Sequence, residues 1–294
     1  MTGVAFRLMN SLTNLVSDRV TSAGLQRSFT LGDLTDLSGA RPLDGRHVLV
    51  TGASSGVGEA TAHAFAAAGA RVTLVARTAE ALAAVVNEIR EFGGAADYLV
   101  GDLATEDGVA ALLNEITASG VPDIVVNNAG RSIRRRVLDA TDRLHDFQRT
   151  MAINYFGPVQ LTLGLLPAMV ERGQGQFINV ATWGVASGAM PKFAAYAASK
   201  AAVATFGRSL AAELDGTGVA VSTIYFPLIR TPMIAPTADY DSQPALTSDE
   251  AAEWILHAAR HRPLEVMPRY AKVLRSLTAI SAPTADGLVA KSFI

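Results

Sequence analysis

Tyr196-Ala-Ala-Ser-Lys200 sets a phenol and an ammonium four residues apart, which on a helix puts both on one face. A free tyrosine has a pKa of ~10 and is a poor acid–base group at neutral pH, but a neighbouring ammonium favours the phenolate and lowers it. The pair can then give a proton to, or take one from, a carbonyl or alcohol oxygen during hydride transfer. Alone, this spacing is common on helix surfaces, so companion motifs must decide.

The first companion is Thr51-Gly52-Ala53-Ser54-Ser55-Gly56-Val57-Gly58, which follows the apolar run His47–Val50 and precedes a helical stretch. Glycines at a strand–helix junction let backbone N–H groups approach a pyrophosphate and let the helix N-terminus face it. This nominates Thr51, Gly52, Ser54, Ser55, Gly56, Val57 and Gly58 as a dinucleotide cradle. About 20 residues on, an NAD site usually carries an acidic residue for the ribose 2′-hydroxyl. Here Ala76 is followed by Arg77 and Thr78. A guanidinium pairs with a 2′-phosphate that a carboxylate would repel, so the expected cofactor is NADP(H).

These groups need a scaffold that brings them together. Apolar runs at His47–Val50, Val72–Ala76, Ala96–Val100, Ile124–Val126, Gln176–Val180 and Val219–Phe226 alternate with helical stretches. The stretches are Gly56–Ala68, Ala79–Phe92, Glu106–Ser119, a long segment around Asp142–Arg172, and Ala195–Leu214. The alternation predicts βαβ units and an α/β class, a doubly wound (Rossmann) mostly parallel sheet. Thr247-Ser-Asp-Glu250 reads as a capping box opening a helix to about His261, stopped by Pro263. Leu264–Met267 can add a last strand, and Tyr270, Val273, Leu274, Leu277 and Ile280 form a further apolar stripe.

At the other end, Ala5, Leu8, Met9, Leu12, Leu15, Val16 and Val20 recur at helical spacing, and a Gly/Asp/Ser/Thr-rich connector runs from Ser28 to Asp44. The expected division is an amphipathic extension and connector over 1–44, one domain over 45–268, and a helical tail over 269–294. The extension can pack on the domain, on a partner subunit or on a membrane surface.

Composition narrows the chemistry. With 49% hydrophobic and 18% charged residues among 294, the chain can build a core and is not disordered. A net charge of −2 argues against nucleic-acid binding by bulk positive charge. The absence of cysteine excludes disulfides, zinc–thiolate sites and any covalent thioester route through an enzyme sulfur. His47, His63, His145, His257 and His261 show no ligand clustering beyond His257/His261, which reads as helix surface, so no metal is expected. No run of ~18 uncharged apolar residues and no basic-then-apolar leader are seen. The expected compartment is the cytoplasm.

Together the motifs resemble the short-chain dehydrogenase/reductase family over roughly residues 45–270. The resemblance rests on Thr51-Gly-x-x-x-Gly56-x-Gly58, Asp102, Asn127-Asn128-Ala129-Gly130, Asn154 and Tyr196-x-x-x-Lys200, in that order. It implies that Tyr196 donates the proton, that Lys200 holds the nicotinamide ribose and tunes the tyrosine, and that Asn154 keeps a water in a proton relay. It also implies cofactor contacts from Asp102, with Leu103, from Asn128, Ala129 and Gly130, and from Pro227, Ile229 and Thr231. The family expects a serine at the end of the fifth strand, where this chain has Thr182; its hydroxyl has the same donor and acceptor capacity. Ser187 is the fallback. Leu228 departs from a common family glycine.

A sharper resemblance is to the bacterial fatty acyl-CoA reductase branch. It rests on Asn127–Arg136, on His145-Asp-Phe-Gln-Arg-Thr-Met151 leading to Asn154-Tyr-Phe-Gly157, and on Pro227–Thr237. It implies reduction of a long-chain acyl thioester to an aldehyde. Hydride addition to a thioester gives a tetrahedral oxyanion that Thr182 and Tyr196 can stabilise before thiolate departs. Arg131, Arg134, Arg135 and Arg136 can grip the phosphates of coenzyme A, or form an ordinary solvated loop or subunit salt bridges. The basic, apolar-striped tail can cover an acyl chain, rest on a lipid surface or simply pack on the domain. The competing readings are a reductase or dehydrogenase of a lipophilic ketone, aldehyde or secondary alcohol, and a non-catalytic cofactor-binding protein, which the intact Tyr196/Lys200 pair disfavours. A homo-oligomer, dimer or tetramer, is expected through the apolar helices around Leu161–Met169 and Ala201–Ala212.

Overall fold

The computed structural model describes residues 26–27, 42–235, 240 and 243–292. The helix expected over Ala5–Val20 and most of the Ser28–Asp44 connector lie outside these residues. In chain order the main elements are β1 (His47–Thr51), α1 (Gly56–Ala67), β2 (Arg71–Ala76), α2 (Ala79–Glu91), β3 (Ala95–Val100), α3 (Glu106–Ser119) and β4 (Ile124–Asn127). There follow α4 (Leu144–Met151), α5 (Gly157–Glu171), β5 (Gly175–Thr182), α6 (Trp183–Ser187), α7 (Ala194–Glu213) and β6 (Val219–Phe226). The chain continues with α8 (Ser248–His261), β7 (Glu265–Val266), α9 (Arg269–Ile280) and α10 (Ala282–Ser292).

Seven strands form one parallel sheet in the order β3-β2-β1-β4-β5-β6-β7. Strand side chains alternate between faces. Val48 and Val50 of β1, with Ile124 and Val126 of β4, meet Phe65 of α1, Val86 of α2 and Ile255 of α8. Leu49 and Val125 point the other way, to Leu112 of α3, Leu165 of α5 and Leu210 of α7. Because helices cover both faces, these strands read in the sequence as unbroken apolar runs. This is a doubly wound Rossmann-like α/β domain. Its winding reverses between β1 and β4, and in such sheets the crevice beyond the strands' carboxyl ends at that switch point takes the ligand.

Two local expectations can be checked atom by atom. Thr247 accepts from the Glu250 N–H at 3.1 Å while the Glu250 carboxylate accepts from the Thr247 N–H at 2.8 Å, a complete capping box for α8. The helix ends at Arg262, in the left-handed region at φ 52°, directly before Pro263. His257 is a correction: it is buried, not on a helix surface, because α8 is covered along Ala251, Trp254, Ile255, Ala258 and Ala259. The short α6 was not anticipated; α9 and α10 fall in the stretch expected as a helical tail. Together the three enclose a third cluster around Trp183, Tyr225, Met267, Ala271 and Val289, near the carboxyl ends of β5 and β6.

The long helical segment expected around Asp142–Arg172 is α4 and α5 joined through a π turn at Ala152–Phe156. The 28-residue stretch Leu144–Glu171 contains a window long and apolar enough to cross a membrane. Leu161, Leu165 and Met169 are nevertheless fully buried against the sheet, so the apolar side of α5 is occupied by the core.

Candidate active site

Thr51 joins the glycine turn to the switch point. Its hydroxyl donates to the Val126 carbonyl and accepts from the Asn128 and Ala129 N–H groups, each at 3.0 Å. One donor and two lone pairs are thereby all used. The Thr51 hydroxyl is a brace between β1 and the turn after β4. Asn128 returns the favour, its carboxamide donating to the Thr51 carbonyl at 2.9 Å.

The glycines leave backbone where side chains cannot stand. Gly52 and Gly56 have φ of +67° and +59°, the region that favours glycine. A Cβ at Gly58 would lie 2.2 Å from the Gly52 carbonyl oxygen and 2.7 Å from Asn128 Nδ2. Gly58→Ala should therefore cost ~1–3 kcal/mol as overpacking and disorder the turn. Thermal denaturation together with cofactor fluorescence titration will show both losses. A Cβ at Gly56 would meet the Thr231 methyl at 3.3 Å, so the loop after β6 lies over the glycine turn. Arg77 and Thr78 stand exposed just past β2, whose Val75 carbonyl accepts from the Gly52 N–H at 2.7 Å. The clear backbone and the α1 N-terminus fit a nicotinamide dinucleotide. Asp102 caps its own turn, accepting from the Ala104 N–H at 3.0 Å. The Leu103 side chain is buried in the core.

The reacting groups meet at the ends of β5 and α7. Thr182, the buried last residue of β5, neighbours the half-buried Tyr196 on the first turn of α7. Burial pushes the phenol up to about 12, against the Thr182 hydrogen bond that lowers it. Burial likewise pushes Lys200 down to about 8, and its ammonium donates to the Val180 carbonyl at 2.7 Å. The expectation that Lys200 would lower Tyr196 is thus corrected for this state: desolvation dominates both groups and keeps the phenol protonated.

Asn154 lies on the π turn, a distortion common at functional sites. Its carboxamide spans one residue of the loop after β4, accepting from the Arg131 N–H at 2.8 Å and donating to the Arg131 carbonyl at 2.9 Å. It also donates to Ser199 Oγ at 2.9 Å, and Ser199 donates to the Tyr196 carbonyl at 2.7 Å. In this structure Asn154 positions the loop against α7. Ser199, which this chain buries between Tyr196 and Lys200 in the sequence motif itself, is the site residue that sequence reasoning passed over. Gly130 keeps the space beside them open: a Cβ there would be 3.0 Å from Asn154 Oδ1 and 3.4 Å from Lys200 Nζ. Asn127 donates to Asn179 Oδ1 at 2.9 Å across the β4–β5 register, tying the two strands below the site.

The proposed substrate arginines divide. Arg131 is held at its backbone by Asn154. Arg134 lies over the Tyr240 ring at 5.9 Å. Arg135 is ion-paired with Asp146 at 3.5 Å. Arg136 is exposed. Pro227 is buried at the end of β6, and Ile229 bridges to Leu246. Ser187 ends α6; its side chain is outside the described residues. Far along the sequence, Glu59, His63 and Glu88 bring donor atoms within 4.8 Å of one another, a meeting of α1 and α2 that the scattered histidines gave no sign of. His63 Nε2 and Glu88 are 3.4 Å apart there.

This architecture has named relatives. Residues 46–241 match the short chain dehydrogenase family. A fatty acyl-CoA reductase of Mycobacterium tuberculosis is 43% identical over 277 residues, covering 93% of this chain and 94% of that protein. A fatty acyl-CoA reductase of Acinetobacter baylyi is 46% identical over 246 residues, 83% of each chain. The crystal structure of a 3-oxoacyl (acyl-carrier-protein) reductase of Agrobacterium tumefaciens, with NADP bound, aligns at a TM-score of 0.70 and 28% identity, covering 77% of this chain and 93% of that one. With the glycine turn, the Thr182–Tyr196 pair and Lys200 gathered at the switch point, the chain belongs to the short-chain dehydrogenase family, and it is an oxidoreductase.

Proposed function

We propose that this enzyme reduces a long-chain fatty acyl-CoA to its aldehyde with NADPH, Tyr196 supplying the proton. The observation that carries the reading is the convergence of the buried Thr182 at the end of β5 with the half-buried Tyr196 and the buried Lys200 of α7, at the carboxyl edge of the sheet. The substrate class draws support from the two relatives that bear the name fatty acyl-CoA reductase.

The turn Gly52–Gly58, Asn128–Gly130 and Thr231 would hold the cofactor, with Arg77 and Thr78 receiving a 2′-phosphate. When bound, the nicotinamide supplies a hydride. As a thioester carbonyl becomes tetrahedral, Thr182 and Tyr196 stabilise its oxygen in a low-dielectric setting where each donor counts for more than in water. Tyr196 passes its proton; the C–S bond then breaks, the carbonyl re-forms, and the departing sulfur leaves protonated. One hydride and one proton are taken up for each thiol released. The chain's lack of cysteine fits this direct route.

The pH dependence has a definite sign. Lys200 loses its charge near pH 8, while Tyr196 keeps its proton until about 12. If the ammonium is needed, kcat/KM for carbonyl reduction falls as pH rises through about 8, with Lys200 setting the limb. A flat profile from pH 7 to 10 would remove Lys200 from the mechanism.

The exposed Leu144, Phe156 and Leu163 lie along α4, the π turn and α5, and this reading takes them as contacts between copies in a dimer or tetramer. Arg269, Lys272, Val273 and Ile280 share the exposed side of α9, which suits peripheral contact with a lipid surface that stores the substrate. Ranking kcat/KM for palmitoyl-CoA against lipophilic ketones, aldehydes and secondary alcohols tests the substrate class. Preference for palmitoyl-CoA supports it, and preference for a ketone or alcohol replaces it with the other hydride-transfer reading.

A further inference from the structure

Asp146, in the first turn of α4, is only 2% exposed and gathers cations from three directions. Arg143 donates to it from Nε at 2.8 Å, Arg149 donates from the next turn, and Arg135 reaches it at 3.5 Å from the loop after β4. His145 Nε2 lies 3.4 Å from the same carboxylate. The guanidinium neighbours hold the Asp146 carboxyl down to about 2, with Arg143 the largest influence.

This is not a matched ion pair. Each guanidinium carries five N–H donors, whereas a carboxylate offers about four acceptor sites. Three guanidiniums on one carboxylate therefore keep donors and positive charge in excess, and each is a third to a half exposed on its outer side. Across residues 131–149 there are six arginines against three aspartates, in a chain whose net charge is −2. A cluster built for stability alone would balance its charge; this one uses a buried carboxylate to hold mutually repelling cations in place.

Its position ties it to the reaction. Asn154 clamps Arg131 at one end of the loop. Four residues on, the Arg135 N–H donates to the Lys192 carbonyl at 2.6 Å, in the turn that leads into α7 and Tyr196. Four extended residues span at most ~14 Å, so the Arg135 backbone stands within that reach of Arg131 and its Asn154 clamp.

We propose that Arg135, Arg143 and Arg149, organised by Asp146, form the phosphate-binding site for the coenzyme A moiety of the substrate. The proposal rests on the acyl-CoA reading above. It moves the phosphate grip from the consecutive arginines of the loop to a cluster that the fold assembles from the loop and α4, and Arg143, Arg149 and Asp146 were not visible as candidates in the sequence. Planar guanidiniums that are already oriented suit the paired oxygens of phosphate groups. The pantetheine arm then spans the distance from the phosphates to the thioester beside Tyr196.

The test is equilibrium binding of free coenzyme A to the intact protein at saturating NADPH, which occupies the cofactor site. It compares wild type with Arg149→Gln, Arg135→Gln and the double variant. Each single variant leaves Asp146 two guanidinium partners, and NADPH affinity and circular dichroism report that the fold is kept. Affinity should fall about 10-fold or more for each single change, in line with hydrogen bonds to charged groups. In turnover, KM for palmitoyl-CoA should rise by a similar factor, while kcat/KM for the palmitoyl thioester of N-acetylcysteamine, which lacks the phosphates, stays within twofold. Equal losses on both thioesters, unchanged coenzyme A binding in the folded double variant, or no coenzyme A binding by wild type would overturn the site. Coenzyme A binding that depends on these arginines, in a protein that reduces only ketones, would keep the site and overturn the acyl-CoA reading. Palmitoyl-CoA reduction with an unchanged KM in the variants would do the reverse.

Discussion

Replacing Tyr196 by phenylalanine lowers turnover about 10²–10⁴-fold, the loss typical of a positioned general acid, and leaves cofactor binding intact. The change removes one oxygen. The ring stays half-buried at the start of α7, and Lys200 keeps its bond to the Val180 carbonyl. The Thr182 hydroxyl loses its partner and stays as a single donor on the substrate oxygen. The loss should therefore fall on kcat more than on KM, and stopped-flow hydride transfer with fluorescence titration of NADPH separates the two. Full turnover in the variant would take the proton from Tyr196 and with it the mechanism.

Arg77→Glu reverses the cofactor preference. Arg77 is exposed immediately after β2, and two residues earlier Val75 receives the Gly52 N–H of the glycine turn, so the side chain starts beside the cradle. A charge-assisted hydrogen bond to a 2′-phosphate is worth ~1.5–3 kcal/mol, or about 10–150-fold in affinity. The carboxylate removes that bond, repels the phosphate and accepts from a 2′-hydroxyl instead. The ratio of NADPH to NADH affinity should move by on the order of 10²–10³, through loss for one cofactor and gain for the other. Parallel titrations of the two reduced cofactors measure it. An unchanged ratio would place the 2′-phosphate elsewhere.

How much of this was legible in the sequence depends on what each element touches. β1, β2 and β4 announced themselves because helices on both sides of the sheet demand mostly apolar residues on both faces. β5 runs on to Thr182, beyond the Val180 at which its apolar run stops, and those last residues carry the hydroxyl of the site. The glycine turn was legible because its requirement is local: a Cβ on Gly58 would lie 2.2 Å from the Gly52 carbonyl oxygen. The capping box was legible for the same reason, being local chemistry.

What stayed hidden is what depends on distant contacts. The π turn at Ala152–Phe156 has no composition of its own; it is fixed by Asn154 reaching across to Arg131 and Ser199. His257 looked like a surface residue because its own neighbours give no hint that the rest of α8 is enclosed. The four arginines of the loop drew attention as a run, yet the cation cluster takes only Arg135 from it and completes itself with Arg143 and Arg149. Direction of pKa shift was also misjudged from sequence: an ammonium four residues from a phenol suggested a lowered tyrosine, whereas burial raises it.

The most direct test of the central claim follows NADPH oxidation and thiol release together, with purified protein and palmitoyl-CoA. A chain without cysteine contributes no thiol to the colorimetric reagent. The account predicts that free thiol appears in step with cofactor oxidation and that both stop in Tyr196→Phe. NADPH binding with no thiol released from palmitoyl-CoA, alongside turnover of a lipophilic ketone or alcohol, would contradict it.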